Sequence, residues 1–113
     1  MKLITKAIEN AFKKQGDTSE KEMKDIKIVC KLFNPCGAGT WYLYEKDNND
    51  PDIYWCFANL GDPYYAECGT VSLSELLSIK LPFGMSIERD LSFEPLAISL
   101  QEVWDIVKGG GHV

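Results

Sequence analysis

The chain has 113 residues, of which 45% are hydrophobic and 26% charged, with a net charge of -5 and an isoelectric point near 4.8. That length fits one domain. The composition excludes a disordered, collagenous or membrane chain, and the acidic balance argues against a protein whose main task is gripping phosphates. No run approaches the about 18 apolar residues of a membrane span, and Met1-Lys2-Leu3-Ile4 passes straight into polar residues, so neither a span nor a signal peptide is expected. The cytoplasm is the expected compartment. The charge is uneven: residues 1–31 sum to +3 and the remainder to -8. Lysines spaced through a polar segment read as a solvated face.

In chain order, Thr5 is placed to cap a short amphipathic helix carrying Ala7, Ile8, Ala11 and Phe12, and Gly16 ends it. Asp17 to Asp25 is almost wholly polar and reads as a surface linker or one loose helical turn. The period then becomes extended. Ile28 to Phe33 and Thr40 to Lys46 form a hairpin across Asn34-Pro35-Cys36-Gly37-Ala38-Gly39. The loop from Lys46 to Asp52 leads into Ile53 to Ala58. This strand is apolar on both faces, with Ile53, Trp55 and Phe57 on one and Tyr54, Cys56 and Ala58 on the other, and is expected to be central and covered on both sides. Gly61-Asp62-Pro63 turns into Tyr64 to Val71, completing a meander.

Ser72-Leu73-Ser74-Glu75 is a capping box that predicts a helix from Leu73 to Ile79, with Val71 stapled against Leu76. Glu88 to Phe93 reads as a further short strand with Leu91 and Phe93 inward. Ser99-Leu100-Gln101-Glu102 repeats the box ahead of Leu100, Val103, Trp104 and Val107, with Lys108 complementing the dipole and Gly109 ending the helix. The predicted fold class is α+β: an antiparallel meander sheet of four to five strands packed with an N-terminal helix, a short middle helix and a C-terminal helix. Residues 1–108 form the single domain, and 109–113 a flexible Gly-rich tail.

The four cysteines, Cys30, Cys36, Cys56 and Cys68, make no C-x-x-C and read as buried or half-buried free thiols. His112, the single histidine, lies beside three glycines, so no metal site, catalytic residue or cofactor is assigned. Acids between Glu45 and Asp52 read as solvated loop residues, and Gly37-Ala38-Gly39 joins two strands and is no phosphate cradle. Eight of the thirteen aromatics fall between Trp41 and Tyr65, a stretch with one basic residue, Lys46, and five acids. Base-stacking platforms interleave lysine or arginine, so nucleic acid is not the expected partner and a tyrosine-rich protein-binding surface fits better. Arg89, the single arginine, sits between Glu88 and Asp90. Alternation sets it on the opposite face from them, free to fork onto Glu67 or Glu45.

Several segments resemble a small bacterial family of unknown function. They include Met1-Lys2-Leu3-Ile4-Thr5, Leu32-Phe33-Asn34-Pro35, Thr40-Trp41-Tyr42, Glu45-Lys46-Asp47, and the run from Gly69 to Leu76. The most specific is the run from Pro82 to Pro95, in which Ile87-Glu88-Arg89-Asp90-Leu91 and Phe93 follow a Pro-Phe-Gly turn. The resemblance implies an origin on plasmids, conjugative elements or phage-like regions, and supplies no catalytic residue. Cys68 and the lysine-rich linker depart from it. The reading that follows is a non-enzymatic accessory or protein-interaction domain, with Arg89, Glu67, Glu88, Asp90, Trp41 and Tyr44 as candidate ligand or partner residues. The alternative is a small ligand-binding protein or enzyme centred on Arg89 and the carboxylates near it.

Overall fold

The computed structural model describes residues 1–113. Helix α1 spans Lys6–Gln15, and Thr5 begins it by accepting the Ile8 amide at 3.3 Å. Strands β1 (Cys30–Phe33), β2 (Thr40–Lys46), β3 (Ile53–Asn59) and β4 (Glu67–Ser72) follow, then α2 (Leu73–Ser78), the two-residue β5 (Glu88–Arg89) and α3 (Leu100–Lys108). All strand pairs are antiparallel, in the spatial order β4-β3-β2-β1-β5. The predicted α+β class and meander hold, with β5 added beside β1. The middle position belongs to β2, and β3 lies between it and the β4 edge.

Both faces of the sheet carry a core because side chains alternate across it. On the first face Leu3, Ile4, Ile8 and Phe12 pack over Leu32, Leu43, Tyr54 and Cys56, with Leu76 of α2 and Ile87 completing the layer. On the second, Leu100, Val103 and Val107 of α3 cover Ile28, Tyr42, Tyr44, Phe57 and Ala66. Segment 96–100 delivers α3 to that face by running beside 26–28: Ile28 N–H donates to Ile98 O, Leu96 N–H to Ile28 O and Leu100 N–H to Ile26 O, at 2.7 to 2.9 Å. Each fully buried aliphatic or Phe side chain contributes about 1.5–3 kcal/mol relative to exposure, so the two layers are the main source of stability.

The register of β2 against β3 slips between Leu43 and Glu45, leaving Tyr44 as the extra residue of a bulge. Its carbonyl accepts Gln15 Nε2 at 2.5 Å, and the same amide group binds both polar atoms of the Lys27 main chain at 2.7 Å. One side chain thus ties the end of α1 to the approach to β1 and satisfies the bulge.

Several local expectations are corrected. Strand β5 stops at Arg89, since the Asp90 amide donates to Lys31 O at 2.9 Å while its carboxylate turns to accept the Ser92 amide at 2.9 Å. Leu91 is therefore 71% exposed and not inward, whereas Phe93 packs on the second core. Tyr64 and Tyr65 belong to a 3-10 turn over Pro63–Tyr65 and not to β4. Within the polar linker Thr18 is buried, its amide and hydroxyl both donating to Glu45. Trp55 is exposed, because α3 does not reach that end of the sheet, and its indole N–H donates to Asp47 at 3.2 Å. Of the four free thiols, Cys30 and Cys56 are buried, but Cys36 and Cys68 are exposed. Ser72 caps α2 by accepting the Glu75 amide at 3.2 Å, yet Glu75 does not return the bond. Asp52, from the preceding loop, instead takes the Ser72 and Ser74 hydroxyls and the Ser74 amide. Residues 109–113 turn back along α3: Gly110 and Gly111 donate to Val107 and Ile106, and Lys31 donates to the Val113 carbonyl at 2.6 Å.

Candidate functional site

The six sequence-derived candidates do not converge. Arg89 is at the β5 edge and Glu67 at the β4 edge, four strand spacings or roughly 19 Å away across the sheet. Arg89 binds no carboxylate. Its Nη1 donates to the carbonyls of Lys2 and Leu3, both at 2.8 Å, and it lines none of the three cavities of the molecule. Asp90 lies on the other face, as alternation predicts, with a carboxylate oxygen 3.6 Å from Lys31 Nζ. Glu88 stands beside it in the β5–β1 ladder, opposite Phe33. Tyr44 is buried on the α3 face, where burial pushes its phenol up.

Trp41 and Glu67, by contrast, share a cavity of about 420 Å³ on the α1 face at the β3–β4 edge. Trp41 pairs with Ala58 across β2–β3, and Ala58 with Glu67 across β3–β4, so the register alone aligns the three on one face. The Trp41 ring lies over the hairpin turn at Gly39, whose φ is 125° and where a Cβ would stand 3.1 Å from the indole. A residue with a side chain there would displace the ring. Leu60 and Tyr65 form the outer wall, and the two carboxylates are those of Asp62 and Glu67. Asp62 is held in place by its own turn, accepting the Tyr64 amide at 2.9 Å. No basic side chain lines the cavity.

The aromatic wall extends outward. Tyr64 and Tyr65 meet edge to face at 5.0 Å and are 78% and 74% exposed. Lys108 of α3 anchors their turn by donating to Tyr64 O at 2.9 Å, while its ammonium lies 5.0 Å from the Trp104 ring centroid. Exposed aromatics held by a rigid turn lose little entropy on binding, and Tyr and Trp are enriched at protein interfaces. The other two cavities, about 290 and 450 Å³, lie at the opposite end of the sheet around Glu45, Asp47 and Asn48. The larger is also lined by Tyr44 and Trp55, and the carboxylates of both are occupied within the fold: Asp17 by the Ser19 amide, Asp47 by the amides of Asn49 and Asp50 and by Trp55, Glu45 by Thr18.

Leu60, Asp62, Tyr65 and Gly69 are not among the sequence-derived candidates. The one local signal among them is Gly69, a glycine inside a strand, which marks a bulge or a close approach of another group.

The fold is thus an α+β domain with helices on both faces of an antiparallel sheet, and an aromatic, acid-rimmed cavity lies beside the β4 edge. The chain belongs to the family described as protein of unknown function DUF2958, whose model matches residues 3–111. No curated protein and no solved structure matches it. No helix is long and apolar enough to cross a membrane.

Proposed function

We propose that the chain is a non-enzymatic accessory domain that docks a second protein in the groove beside β4, and that it serves a mobile genetic element within the cytoplasm. The observation that carries the docking role is the cavity lined by Trp41, Leu60 and Tyr65, open to solvent and extended by the exposed Tyr64. Monomeric surfaces rarely expose contiguous aromatic and aliphatic area of this kind without a binding role. The mobile-element setting is supported by the resemblance carried by the segments around Gly69–Leu76 and Pro82–Pro95.

Selection of a displayed random dodecapeptide library against the wild-type chain tests the docking role. Enriched peptides are expected to lose at least about tenfold in affinity for Tyr65→Ala and for Leu60→Ser, the scale of an interface hot spot. Both residues are exposed, so the urea midpoints of the variants should match wild type. Failure to enrich any sequence, or equal binding to wild type and both variants, rejects the reading.

A further inference from the structure

Resting on that docking role, we propose the mode of binding: the partner contributes an extended segment that pairs with the open edge of β4 as a sixth strand and sets a lysine or arginine against Asp62 and Glu67. The phase of the β3–β4 ladder follows from the Leu73 amide, which donates to Asp52 O at 2.8 Å. Antiparallel bonding alternates along a strand, so Gly69 and Val71 bond inward to β3 while Cys68 and Thr70 turn their N–H and C=O groups outward. No other backbone or side-chain group bonds them.

The two edges of the sheet are finished differently. At the far edge β5 is two residues long and covered by the N-terminal segment, with Arg89 N–H on Met1 Sδ at 3.2 Å and its guanidinium on Lys2 and Leu3. Strand β4 is six residues long and has no proline, lysine or bulge to discourage pairing. Gly69, in its middle, is not in the left-handed region, and a Cβ built on it meets nothing within 4 Å. The backbone does not require glycine there, and the missing side chain leaves the groove open to the added strand. In strand addition the main-chain bonds supply affinity and pockets for alternate side chains supply specificity. Here the pocket offers two carboxylates and no cation, which selects a basic side chain. A second copy of this chain is the poorer occupant, because it brings another Asp62 and Glu67 to the same rim.

Fluorescent decapeptides provide the probe: one alternating lysine with valine, one alternating glutamate with valine, and a lysine–valine peptide N-methylated at alternate residues. Anisotropy is read with wild type, Thr70→Pro, Gly69→Val and Tyr65→Ala. The lysine–valine peptide should bind wild type at least about tenfold more tightly than the other two peptides, and both Thr70→Pro and Gly69→Val should lose it to the same degree. Gly69→Val should keep the wild-type urea midpoint or exceed it, since valine favours strands. If Thr70→Pro does not fold, the N-methylated peptide makes the same test on the wild-type chain. Lysine–valine binding that ignores N-methylation and Thr70→Pro but falls with Tyr65→Ala overturns strand addition and leaves the docking groove standing. Binding of library peptides without binding of the lysine–valine peptide likewise overturns strand addition and spares the groove, and absence of both kinds of binding removes both readings. Self-association in sedimentation that Thr70→Pro abolishes would assign the edge to a second copy and overturn the basic-segment proposal.

Discussion

Replacing Arg89 separates a structural role from a ligand-binding one. Its Nη1 holds the carbonyls of Lys2 and Leu3 at 2.8 Å, and the segment so held delivers Leu3 and Ile4, 2% and 5% exposed, to the first core. A hydrogen bond to a charged donor contributes about 1.5–3 kcal/mol when buried, and about 1 kcal/mol where water competes, as it does at this edge. Two such bonds give about 2 kcal/mol, and partial release of the Leu3 and Ile4 side chains adds about 1 more. Arg89→Ala is therefore expected to cost about 2–3 kcal/mol. Lysine lacks the fork and reaches one carbonyl at best, so Arg89→Lys should cost about 1–2 kcal/mol. With a urea slope of about 1.5 kcal/mol/M, the alanine variant should unfold about 1.3–2 M earlier at an unchanged slope. Amide exchange at residues 3–9 should accelerate beyond the global change, because the anchor is local. An alanine variant within about 0.5 kcal/mol of wild type, the range of ordinary surface substitutions, would refute the clamp.

Four further outcomes follow from the same geometry. Cys30 and Cys56 are buried and burial pushes both thiols up to about 12, so a thiol reagent at pH 8 should titrate two cysteines, Cys36 and Cys68, in the native protein and all four only after unfolding. The same shifts make the alkaline limb steep. From the ordinary thiol value of 9.0 up to about 12 the unfolded chain ionises where the folded one does not, so stability falls as pH rises, and Cys56→Ala should flatten that fall. At the acid end Asp52 is held below its ordinary 3.8 by the Ser72 and Ser74 hydroxyls and the Ser74 amide, and Asp47 by the amides of Asn49 and Asp50. Stability from these carboxylates is present above 3.8 and lost as pH falls through their lowered values, so Asp52→Asn should give a shallower decline of melting temperature from pH 4 to pH 2. Phe83 has φ 62° and is 99% exposed. Phe83→Gly relieves a left-handed phenylalanine without losing any packing, and should raise stability by about 1 kcal/mol, near 4 °C in calorimetry; a lowered melting temperature would count against the strain.

What was legible in the sequence is what is decided locally. The box at Ser99 closes in both directions because its two partners lie three residues apart, and α3 begins where that pattern says. The box at Ser72 closes in one direction only. Asp52 reaches over from a loop twenty residues earlier in the chain and takes the polar groups first, an event no window around Ser72 contains. The end of β5 has the same origin. Alternation continues through Leu91 and Phe93, but the Asp90 side chain captures the Ser92 amide and turns the chain, so Leu91 faces water. Period-2 patterning cannot register a competitor for the backbone.

The candidate site divides along the same line. Trp41 and Glu67 stand out by residue type, through the concentration of aromatics and acids after Trp41, and the register brings them into one cavity. Arg89 stands out on similar grounds, as a lone arginine between acids, and its guanidinium instead meets two carbonyls near the start of the chain. Residue type identifies which side chains can do chemistry, whereas strand order decides which of them meet. Order also decides which edge stays open: β5 beside β1 gives one edge to the N-terminal segment, and β4 is left with Cys68 and Thr70 unpaired. Cys68 pairs with Phe57 across β3–β4 and so points to the α3 face while its backbone faces out, and its place on the edge rests on main-chain geometry and not on its thiol. Cys68→Ala should therefore leave lysine–valine peptide binding unchanged while Thr70→Pro abolishes it; equal loss in both variants would mean that the thiol, and not the backbone, makes the contact.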